Sequence, residues 1–214
     1  MPDLEVTNYF DATEFRKTRD DLVFAVNRAC EPKVAIDCGC GAGSDIDYLV
    51  RKGFEVHAFD IEEESIARCR ARFEGVEDVF LSRCSFSAFE YPSASLVVAD
   101  ASLFFCPASE FAGVWNRIIA CLNPNGVFCG SFLGLEDTMA EPGENHSVLW
   151  PDVTAFSETQ VRGLLRDLEV LRFNVHKSTG INSQGAVHRW HIFQVVARKP
   201  PNAGQRDALK RGSC

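Results

Sequence analysis

Residues 33–65 read KVAIDCGCGAGSDIDYLVRKGFEVHAFDIEEES. VAID, from Val34 to Asp37, is a short apolar run ending in an acid, the pattern of a strand buried on both faces of a parallel sheet. Glycines at 39, 41 and 43 follow at once, and a turn so rich in glycine lets backbone come close to a ligand at a helix N-terminus. SDIDYLVRKG then reads as a helix closed by Gly53, and EVHAFD as a second strand. EEESIARCRARF opens with acids and ends with arginines, the polarity that a helix dipole favours, and Gly75 stops it.

The same alternation continues outward from this unit. VEDVFLSRC predicts a third strand, SFSAFEYPSA an irregular connection and SLVVAD a fourth strand with β-branched residues at its centre. ASEFAGVWNRIIACL predicts an amphipathic helix, NPNG a turn that ends it, and VFCGSFLG a fifth strand. Residues 135–152 lack a sustained period and read as a long loop of the kind kept for function. SETQVRGLLRDL predicts a helix with Ser157 as N-cap. EVLRFNVHKST and AVHRWHIFQVVARK are separated only by GINSQG, too short for a crossover, so they are expected to pair as an antiparallel hairpin at the sheet edge. Upstream, a polar segment predicts one helix over 12–28. The resulting expectation is a single-domain α/β fold, a doubly wound and mostly parallel seven-stranded sheet with an antiparallel C-terminal hairpin edge. Its parts are an N-terminal helical segment at 1–32 that can cover the cleft, the main domain at 33–199, and a loosely held tail at 200–214.

Composition narrows the function classes. The chain has 214 residues, 46% of them hydrophobic and 24% charged, which suits one soluble globular domain. No apolar run approaches the roughly 20 residues of a membrane helix, and the N-terminus lacks the charged-then-apolar pattern of a secretory signal, so a cytoplasmic protein is expected. The net charge of −8 and the absence of a basic stripe argue against nucleic acid and for a small-molecule partner. Nine cysteines, odd in number and irregularly spaced, read as reduced thiols. Cys38, Cys40 and Cys84 fall near one another in the expected sheet, but no CxxC or HxxxH spacing supports a metal cluster, and no metal is expected.

The glycine turn approximates the dinucleotide fingerprint GxGxxG, yet its third glycine comes one position early and Ser44 stands where it was due. Asp37 discriminates further, because an unpaired anion at the strand end works against a pyrophosphate and suits a cation. S-adenosylmethionine carries an ammonium and a sulfonium, no phosphate, and a ribose whose hydroxyls need an acceptor. Asp60 ends the second strand about twenty residues past the loop, the separation of the ribose-binding acid in such a unit. Singly, Asp37 reads equally as a turn cap and Asp60 as a solvated acid; jointly they favour the ligand. Two other readings stay open: a nicotinamide-dependent oxidoreductase, and a catalytically silent S-adenosylmethionine-binding protein.

DCGCGAG with FDIEEESI resembles the first and second motifs of class I S-adenosylmethionine-dependent methyltransferases, and the order of elements is similar over about 33–199. FLGLEDT and HRWHIFQVVARKP are similar to the small tellurite-resistance-type small-molecule methyltransferases. The resemblance implies a Rossmann-like domain in which Asp37, Gly39 and Gly41, with Cys40 between the glycines, line the methionine end of the cofactor. It implies that Asp60 and Ile61 hold the ribose and that Ser85 and Phe86, next to Cys84, reach the adenine. Asp100, Ala101 and Ser102 match the loop beneath the methyl donor, where Asp100 either bonds the ammonium or orients the acceptor. By the same habit Tyr9, Phe10 and Arg16 could cover the cleft. Phe104 and Phe105 are expected in the core. His188 and His191, three apart on a strand, are expected on opposite faces, packing the edge with Trp190. His146, with Glu141, Glu144 and Trp150, reads either as an exposed loop histidine or as part of an acceptor pocket. The chain lacks the NPPY or DPPY run of amino-methylating nucleic-acid enzymes, with ADASLFF in its place. No residue pattern singles out a catalytic base, in keeping with in-line transfer from an already activated donor.

Overall fold

In a computed structural model of the chain, residues 4–141, 153–181, 185 and 187–201 are described. The strands are β1 (Val34–Cys38), β2 (Glu55–Asp60), β3 (Val79–Arg83), β4 (Ala94–Ala99), β5 (Leu122–Gly134), β6 (Ala155–Phe156), β7 (Glu169–Ile181) and β8 (Val187–Arg198). They form one sheet in the order β3-β2-β1-β4-β5-β8-β7, with the two-residue β6 added beside the end of β5. The sheet therefore has eight strands rather than the seven expected; β6 is too short to show a period in sequence. Pairing is parallel except where β8 meets β5 and β7.

Six α-helices accompany the described strands: α1 (Leu4–Thr13), α2 (Asp20–Val26), α3 (Ser44–Arg51), α4 (Glu63–Arg72), α5 (Ala108–Cys121) and α6 (Glu158–Leu164), with short 3-10 turns at Leu103–Phe105 and Thr138–Ala140. Alternation along the central strands sends successive residues to two cores, as a pleated strand must. Ile36, Val97, Phe128 and Phe132 pack with Trp115 and Ile118 of α5 and Val161 of α6. Ala35, Leu96, Val98 and Val127 pack instead with Leu22 of α2, Ile46 and Leu49 of α3 and Ile66 of α4. Helices thus cover both faces of the sheet. Ser157 accepts from Gln160 N while the Gln160 side chain accepts from Ser157 N, a reciprocal cap that starts α6.

Two local expectations are corrected. The single helix read over 12–28 is two helices, α1 and α2, broken across 14–19. In that break Arg16 and Arg19 reach the carboxylates of Asp45 and Asp100, contacts that outweigh a few more helical hydrogen bonds at a partly exposed segment. The NPNG turn does not separate α5 from β5; it is folded into the strand as an irregularity, with Asn125 at φ 68° and its N–H bonded to Lys199 O.

The Phe128 side chain is fully buried between the sheet and Trp115, so Phe128→Ala should cost about 3–5 kcal/mol in urea unfolding followed by circular dichroism. The half-exposed Val170 on the edge strand should tolerate Ala within roughly 0.5–1 kcal/mol.

Candidate active site

The glycine turn is held in place by the end of β2. Gly39 N and Cys40 N both donate to Phe59 O, at 2.8 and 3.0 Å. Gly41 N donates to Asp60 Oδ2 at 2.9 Å, and Glu62 N donates to Oδ1 of the same carboxylate at 3.0 Å. Ser65 Oγ, from α4, donates to Gly41 O at 2.7 Å. Gly39 must be glycine for two reasons: its φ is 73°, and a Cβ would stand 2.5 Å from that of Ser102 in the loop after β4. That close approach brings the ends of β1 and β4 together at the point where the strand order reverses, which is where open α/β sheets bind ligands.

A cavity of about 770 Å³ opens there. Gly39, Cys40, Gly41, Asp60, Ile61, Ser85, Phe86, Asp100 and Ala101 all line it. Asp37 is the site candidate that does not: it sits behind the turn, 3% exposed, with Oδ2 lacking a hydrogen-bond partner among the described residues. Burial, then the neighbouring Asp45 carboxylate, push the Asp37 carboxyl well above its ordinary range, against the pull of Arg19 and Arg16.

Asp100 is already engaged. Arg19 bridges Asp45 at 2.7 Å and Asp100 at 2.9 Å, and Arg16 lies 3.4 and 3.7 Å from the same two acids. Burial opposes the Arg19 charge, but Asp100 and Asp45 more than offset it. The N-terminal segment also reaches the cavity through Tyr9, Phe10, Thr13 and Arg16. Arg68 of α4 pins this segment by pairing with Asp11 at 2.7 Å and Glu14 at 3.4 Å.

The opposite wall was not read from the sequence. Phe104 is buried as expected and Phe105 only partly so, and both also line the cavity, as do Leu133 and Ser131 of β5. His188, Trp190, Ile192 and Gln194 of β8 line it too, so His188 and Trp190 are not mere edge packing. Their spacing of two places them on one face of the strand, but an edge hairpin has no reason, in sequence, to face a ligand. His188 Nε2 lies 3.1 Å from Asp137 Oδ1. Asp137 is wholly buried and also accepts from Met139 N at 3.0 Å and from His191 N at 2.8 Å. Glu141 pairs with Arg189, while Glu144, His146 and Trp150 lie outside the described residues. Among the described residues no group of three or more His, Cys, Asp and Glu could hold a metal ion, and no helix is long and apolar enough to cross a membrane.

Residues 35–126 match the family described as a methyltransferase domain. Comparison of the sequence with curated proteins finds no match. The fold is similar to that of TehB from Haemophilus influenzae, with TM-score 0.71 and 19% identity over 91% of this chain and 67% of that one. It is similar also to a 1,6-didemethyltoxoflavin-N1-methyltransferase from Burkholderia thailandensis, solved with bound 1,6-didemethyltoxoflavin and S-adenosylhomocysteine (TM-score 0.63, 21% identity, 92% and 85% covered). A third likeness is to the N-methyltransferase NodS from Bradyrhizobium japonicum (TM-score 0.62, 14% identity, 94% and 99% covered). The match spans 92 of the 214 residues, and the chain shares its fold with solved methyltransferases.

The raised Asp37 carboxyl has a stability consequence. The native state keeps that proton to a higher pH than the unfolded chain, so stability falls as pH rises above the ordinary carboxylate range until the folded value is passed. Asp37→Asn removes this loss. Without ligand, the Tm of the variant should exceed that of the wild type at neutral pH, and the gap should close as the pH falls below the ordinary carboxylate range. A lower Tm at neutral pH would contradict the placement of Asp37.

Proposed function

We propose that this chain transfers the methyl group of S-adenosylmethionine to a small-molecule acceptor. The observation that carries this reading is the glycine turn packed without side-chain atoms against Ser102, with an orphaned buried carboxyl oxygen of Asp37 behind it. A dinucleotide would bring phosphate charge toward that acid, whereas an ammonium in front of the turn would act on it through space and favour its ionised form. Gly39, Cys40 and Gly41 are assigned to the methionine end, Asp60 and Ile61 to the ribose, and Ser85 and Phe86 to the adenine. Each Asp60 oxygen accepts one backbone N–H, which leaves a lone pair on each for a hydroxyl. Asp100 and Ala101 belong to the floor beneath the reacting centre, with Arg16 and Arg19 fixing Asp100. When bound, the cofactor supplies a methyl group already activated by its sulfonium charge. What the protein adds is position and exclusion of water.

Residues 1–32 act in this reading as the cover of the cleft, since Tyr9, Phe10, Thr13 and Arg16 close one side of it. The acceptor enters between Phe104, Phe105, Leu133, Trp190 and Ile192, a mostly apolar wall that suits a small molecule. The acidic balance of the chain, −8, disfavours nucleic acid as the substrate.

Isothermal titration tests the assignment. S-adenosylmethionine and its demethylated product should each bind saturably, with NADH giving no response. Asp60→Ala should weaken both by at least about tenfold, or roughly 1.4 kcal/mol. Binding of NADH alone would establish the oxidoreductase instead, and unchanged affinity in the variant would remove Asp60 from the site.

A further inference from the structure

We propose that His188 is the general base of the acceptor pocket, that Asp137 is its positioning residue, and that the acceptor is a planar, apolar molecule bearing an acidic hydroxyl, such as a phenol. This rests on the methyl-transfer reading above. His188 comes from the face of β8 that also carries Trp190, and both line the cavity. With Nε2 3.1 Å from the Asp137 carboxylate, the ring carries its proton on that nitrogen, and the lone pair of Nδ1 is left over. Nδ1 has no hydrogen-bond partner among the described residues.

A purely structural role for the pair is already filled. The 137–138 segment is fastened to β8 by His191 N donating to Asp137 Oδ2 at 2.8 Å and by Arg189 N donating to Thr138 Oγ1 at 2.9 Å. The bond to His188 also satisfies a wholly buried carboxylate, and it fixes one tautomer at the cavity wall. Charged groups lining the cavity with His188 are Arg16, Asp60, Glu62, Asp100, Glu110 and Asp137, and Asp137 is the one paired with it. Across the ladder β7 presents Gly180, which brings no charge, and Trp190 flanks the imidazole at 4.7 Å between ring centroids. The surrounding surface of Phe104, Phe105, Leu133 and Ile192 matches a flat apolar ring.

In the step, the acceptor O–H proton passes to Nδ1 of His188 and the oxygen electron pair forms the new bond to the methyl carbon. The electrons of the broken carbon–sulfur bond stay with sulfur as a neutral thioether. His188 then loses the proton to water, so one proton is released per transfer, and Asp137 holds the ring in place throughout.

Para-nitrophenol reports this chemistry without the methyl donor, because its phenolate absorbs in the visible. Below the probe's own ionisation in solution, binding to the wild-type protein should raise the phenolate band, while His188→Gln should bind the probe and leave it neutral. Asp137→Asn should reduce the band to an intermediate level. Nitrogen-15 spectra of wild-type imidazoles should show His188 protonated on Nε2 with Nδ1 free, a readout that needs no variant to fold. A neutral bound probe, a band that survives in His188→Gln, a proton on Nδ1, or no binding of the probe would each overturn the proposal. Because these readouts use no cofactor, their failure is distinct from a failure to bind S-adenosylmethionine.

Discussion

The contact between Gly39 and Ser102 is the constraint from which the site follows. A strand that ends in a turn must satisfy its free backbone groups, and here the N–H groups of the turn go to Phe59 O and the Asp60 carboxylate. The turn is thereby drawn against the end of β2, and the missing Cβ at Gly39 lets the loop after β4 close on it from the other side. Ser102 Oγ donates to Cys38 O at 2.5 Å and secures the approach. The ends of three strands are thus fixed relative to one another before any ligand arrives, which is what preorganisation of a binding cleft requires.

Beneath the turn lies an ionic arrangement with opposite consequences for stability and for binding. Arg16 and Arg19 are shared between Asp45 and Asp100, and each acid has two cationic neighbours. Asp37 is left over and buried, its Oδ2 without a hydrogen-bond partner among the described residues. Such a group is disfavoured in an empty fold and valuable to a cationic ligand, a conflict expected where a site is built for binding rather than for stability. The same arginines explain the break between α1 and α2, so the segment covering the cleft and the charge network below it are one construction.

The cavity joins parts of the chain with different origins. Its first wall comes from the turns after β1, β2, β3 and β4, all within one repeating strand-and-helix pattern. Its second wall is made by β5 and β8 and by the 3-10 turn at Leu103–Phe105. Because β8 inserts between β5 and β7, its cavity-facing side chains stand beside those of β5 rather than at the sheet edge. Asp137 and His188, 51 positions apart, meet only through this pairing.

Much of the fold was legible along the chain because parallel strands buried on both faces are continuous apolar runs and their helices carry the complementary period. The first wall was legible for a related reason: Gly39, Gly41 and Asp60 follow from local geometry, a turn that needs positive φ and an acid that ends a strand. Three things depended on long-range contact instead. The short β6 exists only because β5 offers it an edge, the helix break at 14–19 exists because two distant acids attract its arginines, and the place of the buried Phe104 and the half-buried Phe105 in the cavity wall depends on where the second wall stands. What the sequence by itself determined was the order of elements and the chemistry of the glycine turn, since both arise from neighbours in the chain. What only the tertiary structure decided was the second cavity wall and its Asp137–His188 pair, since hydrogen bonding across a sheet joins residues that share no local pattern.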